Sequence, residues 1–179
     1  MKFNQINNLM KNMDEIEGMI QVNIKPHMDE RGAFLRLYDD DWFGNSKQVN
    51  TSFNPSYATL RGMHYQIDGD PEHKLISVIS GSIFFAVVDL RKESKTYLNK
   101  FTSRVNANSY TSYFVPAGCA NGWLTLTENT LIHYTMFSRY ENNNYSGFKY
   151  NDPLFSIEWP LGPKIISKKD SNWPNFESS

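Results

Sequence analysis

From residue 19 onward, apolar and polar positions alternate in short runs broken by Gly, Pro, Asn and Asp, the period of half-buried β-strands. MIQVNI (19–24) alternates, and AFLRLY (33–38) follows the turn DERG. LRGMHYQ (60–66) comes next, then IDGDPEH (67–73), a polar loop of turn-forming composition. KLISVISGSIFFAVVDLR (74–91) predicts two strands hinged at Ser80–Gly81. FTSRVNA (101–107), TSYFVPAG (111–118), GWLTLTE (122–128) and TLIHYTMFSRY (130–140) complete the series. The N-terminus departs from this pattern. Ile6, Leu9, Met10, Met13 and Ile16 recur at helical spacing, which predicts a short amphipathic helix over 5–16 ended by Gly18. Regularly spaced short strands indicate a sandwich or barrel. No repeat, low-complexity tract or linker divides the chain. The expectation is therefore one all-β domain over 1–179, with about 1–18 as a helical extension. The tail beyond IEWPLGP (157–163) is irregular, with Trp159, Pro160 and Pro163 expected over a sheet edge.

Composition narrows the function classes. The 179 residues, 40% hydrophobic and 21% charged, suffice for a sizeable core. Aromatic residues reach 15%, which favours strands and also suits stacking on a sugar or base. A formal net charge of −1 provides no basic field for nucleic acid or an anionic membrane. One cysteine, Cys119, excludes an internal disulfide and favours a reducing compartment. No run has the length of a signal peptide core or a membrane span, so a cytoplasmic protein is expected.

The stretch TLRGMHYQ (59–66) places an arginine, a glycine and a histidine inside a strand. Regular alternation puts Leu60, Gly62, His64 and Gln66 on one face and Arg61, Met63 and Tyr65 on the other. Taken alone, His64 reads as a core histidine held by a hydrogen bond. For Arg61 and His64 to serve one site, a bulge or a site shared across two faces is required.

Several stretches in order change that reading: TLRGMHYQ, HKLISVISGSIFFAVVDLRKESKTY, YFVPAGCANGW, YNDPLFSIEWP and ISKKDSNWP. Together, from DERGAF (29–34) to NWPNF (172–176), they closely resemble the dTDP-4-dehydrorhamnose 3,5-epimerase family. The resemblance implies a cupin-type jelly-roll barrel acting on nucleotide-linked 4-keto-6-deoxy sugars, without cofactor or metal. Epimerisation beside a ketone needs a base, a stabiliser of the enolate oxygen and an acid on the opposite face. The resemblance assigns His64 as base; an unperturbed imidazole titrates near ~6.5, which suits reversible proton abstraction. It assigns Asp170 as the carboxylate holding that histidine, Lys74 as the cation near the keto oxygen and Tyr134 as the acid. His133, one residue away, should face outward. Arg31, Arg61, Gln48 and Asn50 match positions contacting the sugar nucleotide, the arginines offering planar forks to a diphosphate. Phe34 and Tyr140 match aromatic positions near the ligand.

GCANGW (118–123) departs from the family's Gly-Phe-Ala-His-Gly-Phe, so Asn121 replaces a histidine lining the pocket. Asparagine can hydrogen-bond but cannot shuttle a proton near pH 7. That leaves a single-centre C3 or C5 epimerase, a CDP- or GDP-sugar substrate and a non-catalytic sugar-nucleotide binder as alternatives. With four histidines and no His-x-His pair, a catalytic metal is not expected. The resemblance also implies a homodimer exchanging N-terminal strands, here MIQVNI and AFLRLY.

Overall fold

The computed structural model describes residues 9–67, 69, 71–139 and 144–177. One sheet runs β1 (Met10–Asn12), β2 (Ile20–Asn23), β10 (Thr111–Val115), β7 (Lys74–Ser80), β12 (Thr130–Met136) and β5 (Gln48–Asn54). The second runs β13 (Tyr145–Gly147), β6 (Thr59–Gln66), β11 (Cys119–Thr125), β8 (Ser82–Asp89) and β9 (Lys100–Asn106), with β14 (Ile165–Ile166) parallel to β6. A separate hairpin pairs β3 (His27–Asp29) with β4 (Gly32–Phe34). Among the described residues, α-helix is limited to two single turns, α1 (Asp40–Phe43) and α2 (Lys168–Ser171), beside one 3-10 turn at Ala107–Ser109. This is the expected cupin-type jelly roll. No described helix is long and apolar enough to cross a membrane.

The sequence explains how the sheets stack. Ile76, Val78 and Ile132 of the first sheet meet Ile83, Phe85, Val87 and Trp123 of the second in a core between them. Each large side chain buried there contributes roughly 1.5–3 kcal/mol. The apolar run of β8 is continuous because its other face is also covered. Phe84, Ala86 and Val88 lie under Phe148, Phe155 and Ile157 from the C-terminal tail. Trp159 packs edge-on against Phe84 at 5.3 Å, and its indole N–H donates to the Tyr150 carbonyl. Trp159 thus covers a sheet face, while the tail beyond it lines the edge of β6 through β14. On the outer side of the first sheet, Leu35, Leu37 and Trp42 pack on Val22 and Leu75, and Phe43 stacks on Phe114 at 4.2 Å.

The predicted hinge at Gly81 carries the chain from one sheet to the other, since β7 and β8 belong to different sheets. Gly81 has φ +78°, and a Cβ there would lie 2.5 Å from the hydroxyls of Thr127 and Thr130.

The helix expected over 5–16 is not formed in its described part; residues 1–8 lie outside the described residues. Met10–Asn12 instead pair antiparallel with Ile20–Val22, and Met13 N–H donates to the Met19 carbonyl. Ladder bonds along β2, with Ile16 and Met19 fully buried in the inter-sheet core, outcompete a helix of low intrinsic stability.

Candidate active site

The register of β6 against β11 decides where His64 points. Asn121 pairs with His64 and Trp123 with Arg61, so Gly62 and Met63 together span the single residue Gly122. This is a β-bulge. Directly paired residues project to the same side, so Arg61 and His64 share the face of Asn121 and Trp123. Leu60 and Met63, also three apart, both enter the outer cluster. Strict alternation, which would separate Arg61 from His64, fails at this point. Gly62 (φ +132°) comes so close to β11 that a Cβ would lie 2.6 Å from Gly122 Cα.

The bulge aims His64 into a cavity of about 400 Å³ between the sheets. Gln48 and Asn50 of β5, Tyr134 and Met136 of β12, and Lys74 and Ile76 of β7 line one wall. His64, Asn121, Trp123 and Tyr145 line the other. The imidazole and the Tyr134 phenol therefore sit on opposite sheets across shared space. His133 does not line the cavity, as its neighbouring position on β12 implies.

Asp170 is delivered to the histidine by α2. Ser167 caps that turn, accepting the Asp170 N–H at 3.0 Å, and the carboxylate turns back to β6. Its Oδ1 lies 2.8 Å from His64 Nε2, and its Oδ2 accepts from Gly62 N–H at 3.1 Å. Burial pushes the Asp170 carboxyl up, but hydrogen bonds and charge from His64, with further bonds from Gly62 and Ser167, hold it below the usual carboxylate range. Asp170 is thus an anion that accepts from Nε2–H, so Nδ1 holds the lone pair whenever the imidazole is neutral. A second cavity of about 290 Å³ lies against the dyad, lined by Arg61, Ile166 and Ser167 among others.

Lys74, at the start of β7, is also buried. Its Nζ is 2.6 Å from Glu72 Oε1 and donates to Asn121 Oδ1 at 3.3 Å. Tyr145 Oη donates to Glu72 Oε2 at 2.5 Å. Asn121 thus supplies a permanent acceptor beside the ammonium, which a protonated histidine could not.

Other expected residues are placed elsewhere. Arg61 donates from Nε to Asn54 Oδ1 at 2.9 Å and borders the second cavity. Arg31 and Phe34 sit on the β3–β4 hairpin, away from the cavity of their own chain; the Arg31 side chain is 82% exposed and pairs with Asp29. Phe34 is 65% exposed. Tyr140 lies outside the described residues.

Glu72 and Tyr145 were not singled out from sequence. Glu72 belongs to a polar loop and Tyr145 follows an asparagine run, contexts that suggest solvent. The available signal was the period-two spacing of Glu72 and Lys74. Among the described residues, Asp39, Asp40 and Asp41 form the one group whose ligating atoms lie close enough to share a cation, and none of them lines this cavity.

The chain is similar to known proteins over most of its length. The family described as dTDP-4-dehydrorhamnose 3,5-epimerase matches residues 13–178. A dTDP-4-dehydrorhamnose 3,5-epimerase of Methanothermobacter thermautotrophicus is 34% identical over 167 residues, covering 88% of this chain and 89% of that protein. The crystal structure of the Bacillus anthracis dTDP-4-dehydrorhamnose 3,5-epimerase with TDP and PPi bound is 29% identical, with a TM-score of 0.87 over 93% of this chain and 99% of that one. A 3'-monoepimerase from Streptomyces bikiniensis in complex with dTDP-quinovose is 25% identical, with a TM-score of 0.84 over 92% and 87% of the two chains.

Proposed function

Because the chain belongs to the dTDP-4-dehydrorhamnose 3,5-epimerase family, an isomerase family, we propose that it inverts the carbons flanking the ketone of a dTDP-linked 4-keto-6-deoxyhexose. The observation that carries this reading is the pairing of His64 and Tyr134 across one cavity. With Nε2–H held by Asp170, Nδ1 of His64 removes the proton α to the ketone. Electrons move into the carbonyl, and the Lys74 ammonium stabilises the resulting enolate oxygen. Asp170 stabilises the imidazolium that forms, as the carboxylate of a Ser-His-Asp triad does. The Tyr134 phenol then protonates the carbanionic carbon from the opposite face. The imidazolium then gives its proton to solvent and the phenolate regains one, so the site resets with no electron transfer.

The TDP bound to the Bacillus anthracis enzyme supports a thymidine nucleotide. A cavity of about 400 Å³ accommodates a hexose but not the whole nucleotide sugar, which extends out of its mouth. Arg31 and Phe34 then act on a second copy. Of the two segments expected to exchange, MIQVNI is hydrogen-bonded through β2 to β10 of its own chain and AFLRLY packs Leu35 and Leu37 on Val22 and Leu75 of its own chain, whereas every residue of the β3–β4 hairpin just before Leu35 is exposed. We therefore assign Arg31 and Phe34 to the partner's site in a homodimer. Exposed Met28, Val49, Phe53 and Ile79 provide apolar surface for that contact.

Inversion of a single centre is the second reading, favoured by Asn121 in place of a proton-shuttling histidine. Incubation with a dTDP-linked 4-keto-6-deoxyhexose in D2O, followed by NMR, separates the readings. Deuterium at C3 and C5 supports the first, and deuterium at one carbon the second. Binding without exchange contradicts both and leaves a sugar-nucleotide-binding module.

A further inference from the structure

Lys74 carries a charge into a nearly closed wall, with its side chain 9% exposed and that of Glu72 3% exposed. Burying two charges costs several kcal/mol per ion before their attraction is counted, so such a pair is a poor device for stability alone. An ammonium has three N–H donors. Glu72 Oε1 takes one at 2.6 Å and Asn121 Oδ1 another at 3.3 Å, which fixes the direction of the third. Glu72 is itself fixed, because Oε2 accepts from Tyr145 Oη at 2.5 Å. Lys74 Nζ also lies 5.2 Å from the centroid of the Tyr145 ring. The chain of contacts runs from the second sheet through Glu72, which precedes β7, and back to β11. It ties the ammonium of β7 to the second sheet at both ends, through Tyr145 of β13 and Asn121 of β11.

We propose that Glu72, oriented by Tyr145, is a positioning residue that locks Lys74 so that one N–H is preset for the oxygen on which enolate charge develops. This rests on the epimerase reading above. Preset donors act at the moment charge develops without reorganising, so Glu72 serves turnover more than substrate affinity. Its effect passes through Lys74 and disappears when the ammonium is absent.

The test is a double-mutant cycle with Glu72→Gln and Lys74→Met, read by kcat, KM and deuterium exchange from D2O, beside calorimetric binding of dTDP. Glu72→Gln is expected to lower kcat and exchange about 10- to 100-fold with dTDP affinity changed less than about twofold. Added to Lys74→Met, it should cause less than about a twofold further loss. Tyr145→Phe leaves the Lys74–Glu72 pair in place and provides an independent arm if Glu72→Gln does not fold. It should lower kcat severalfold alone and not at all in the Lys74→Met background. Wild-type kcat in both Glu72→Gln and Tyr145→Phe, or full losses that persist without Lys74, overturns the proposal while leaving the function intact. A wild-type protein that exchanges no deuterium overturns the function, and this inference with it.

Discussion

Asp170→Asn isolates what the carboxylate does for the histidine. In the native site Oδ1 accepts from Nε2–H at 2.8 Å and Oδ2 from Gly62 N–H at 3.1 Å, so both oxygens act as acceptors. An amide provides one acceptor and one donor. If its oxygen keeps the Gly62 bond, its NH2 faces Nε2 and drives the ring proton to Nδ1, removing the base. If it turns around, Gly62 N–H loses its acceptor, at a cost of about 1–3 kcal/mol. Either way the imidazolium formed on abstraction loses a charge-assisted bond of about 1.5–3 kcal/mol. Together these give roughly 3–5 kcal/mol on the barrier, or about 10²- to 10⁴-fold in kcat at 1.36 kcal/mol per decade. The comparable change in a serine-protease triad costs about 10⁴-fold. The assay is steady-state turnover with NMR-detected exchange in D2O, on protein whose urea midpoint shows it to be folded. Turnover within about threefold of wild type would refute the assignment, because a merely solvated Asp170 predicts that result.

Tyr134→Phe should separate abstraction from reprotonation: epimerised product falls about 10²-fold or more, while exchange at the carbon facing His64 falls far less. Equal losses in both measurements would count against an acid on the opposite wall. Gly62→Ala adds a Cβ 2.6 Å from Gly122 Cα at φ +132°. It should destabilise by about 3–5 kcal/mol in urea titration, since backbone strain and overpacking combine; a cost below about 1 kcal/mol would contradict the bulge geometry. Asp89 is fully buried and accepts from Arg91, Ser94 and Thr96. Burial pushes its carboxyl up, but these bonds outweigh it and bring it down to about 2 from 3.8. Because the folded value is the lower one, its contribution of about 2 kcal/mol is present above pH ~4 and is lost as pH falls toward ~2. In Asp89→Asn that acid-dependent part of stability should vanish. His73 adds a step nearer neutrality. Its Nδ1 accepts from Ala117 N–H, and burial, with the nearby Arg91 charge, lowers its pKa from 6.5. Stability should therefore decline as pH drops below about 6.5 and the unfolded histidine protonates first. A His73→Gln variant with an unchanged pH profile would exclude that contribution.

The strand pattern was legible because burial on one face imposes a period of two, and β7, β8 and β10 lie close to where that pattern placed them. At the N-terminus, Met10, Met13 and Ile16 fit helical spacing and a strand with its following turn equally well. Ladder pairing with Ile20–Val22, which spacing does not encode, decided between them. At the site, Lys74 and Tyr134 both line the cavity that His64 enters. The bulge at Gly62 was readable only as a requirement for joining Arg61 to His64, since its cause is the close approach of Gly122 on a distant strand. Glu72 and Tyr145 were missed for the same reason. Glu72 is buried and Tyr145 half-buried, and what joins them is a bond between β13 and the segment before β7, which their own neighbours in sequence do not encode.

If a ketone-bearing ring is held between His64 and Tyr134, a crystal structure with a dTDP-linked 4-keto-6-deoxyhexose or a close analogue will show it. The hexose is expected within the cavity, its two faces toward the imidazole and the phenol, and a carbon beside C4 about 3–3.5 Å from the histidine. A hexose bound outside the cavity, or one with both side chains against the same face, would contradict it.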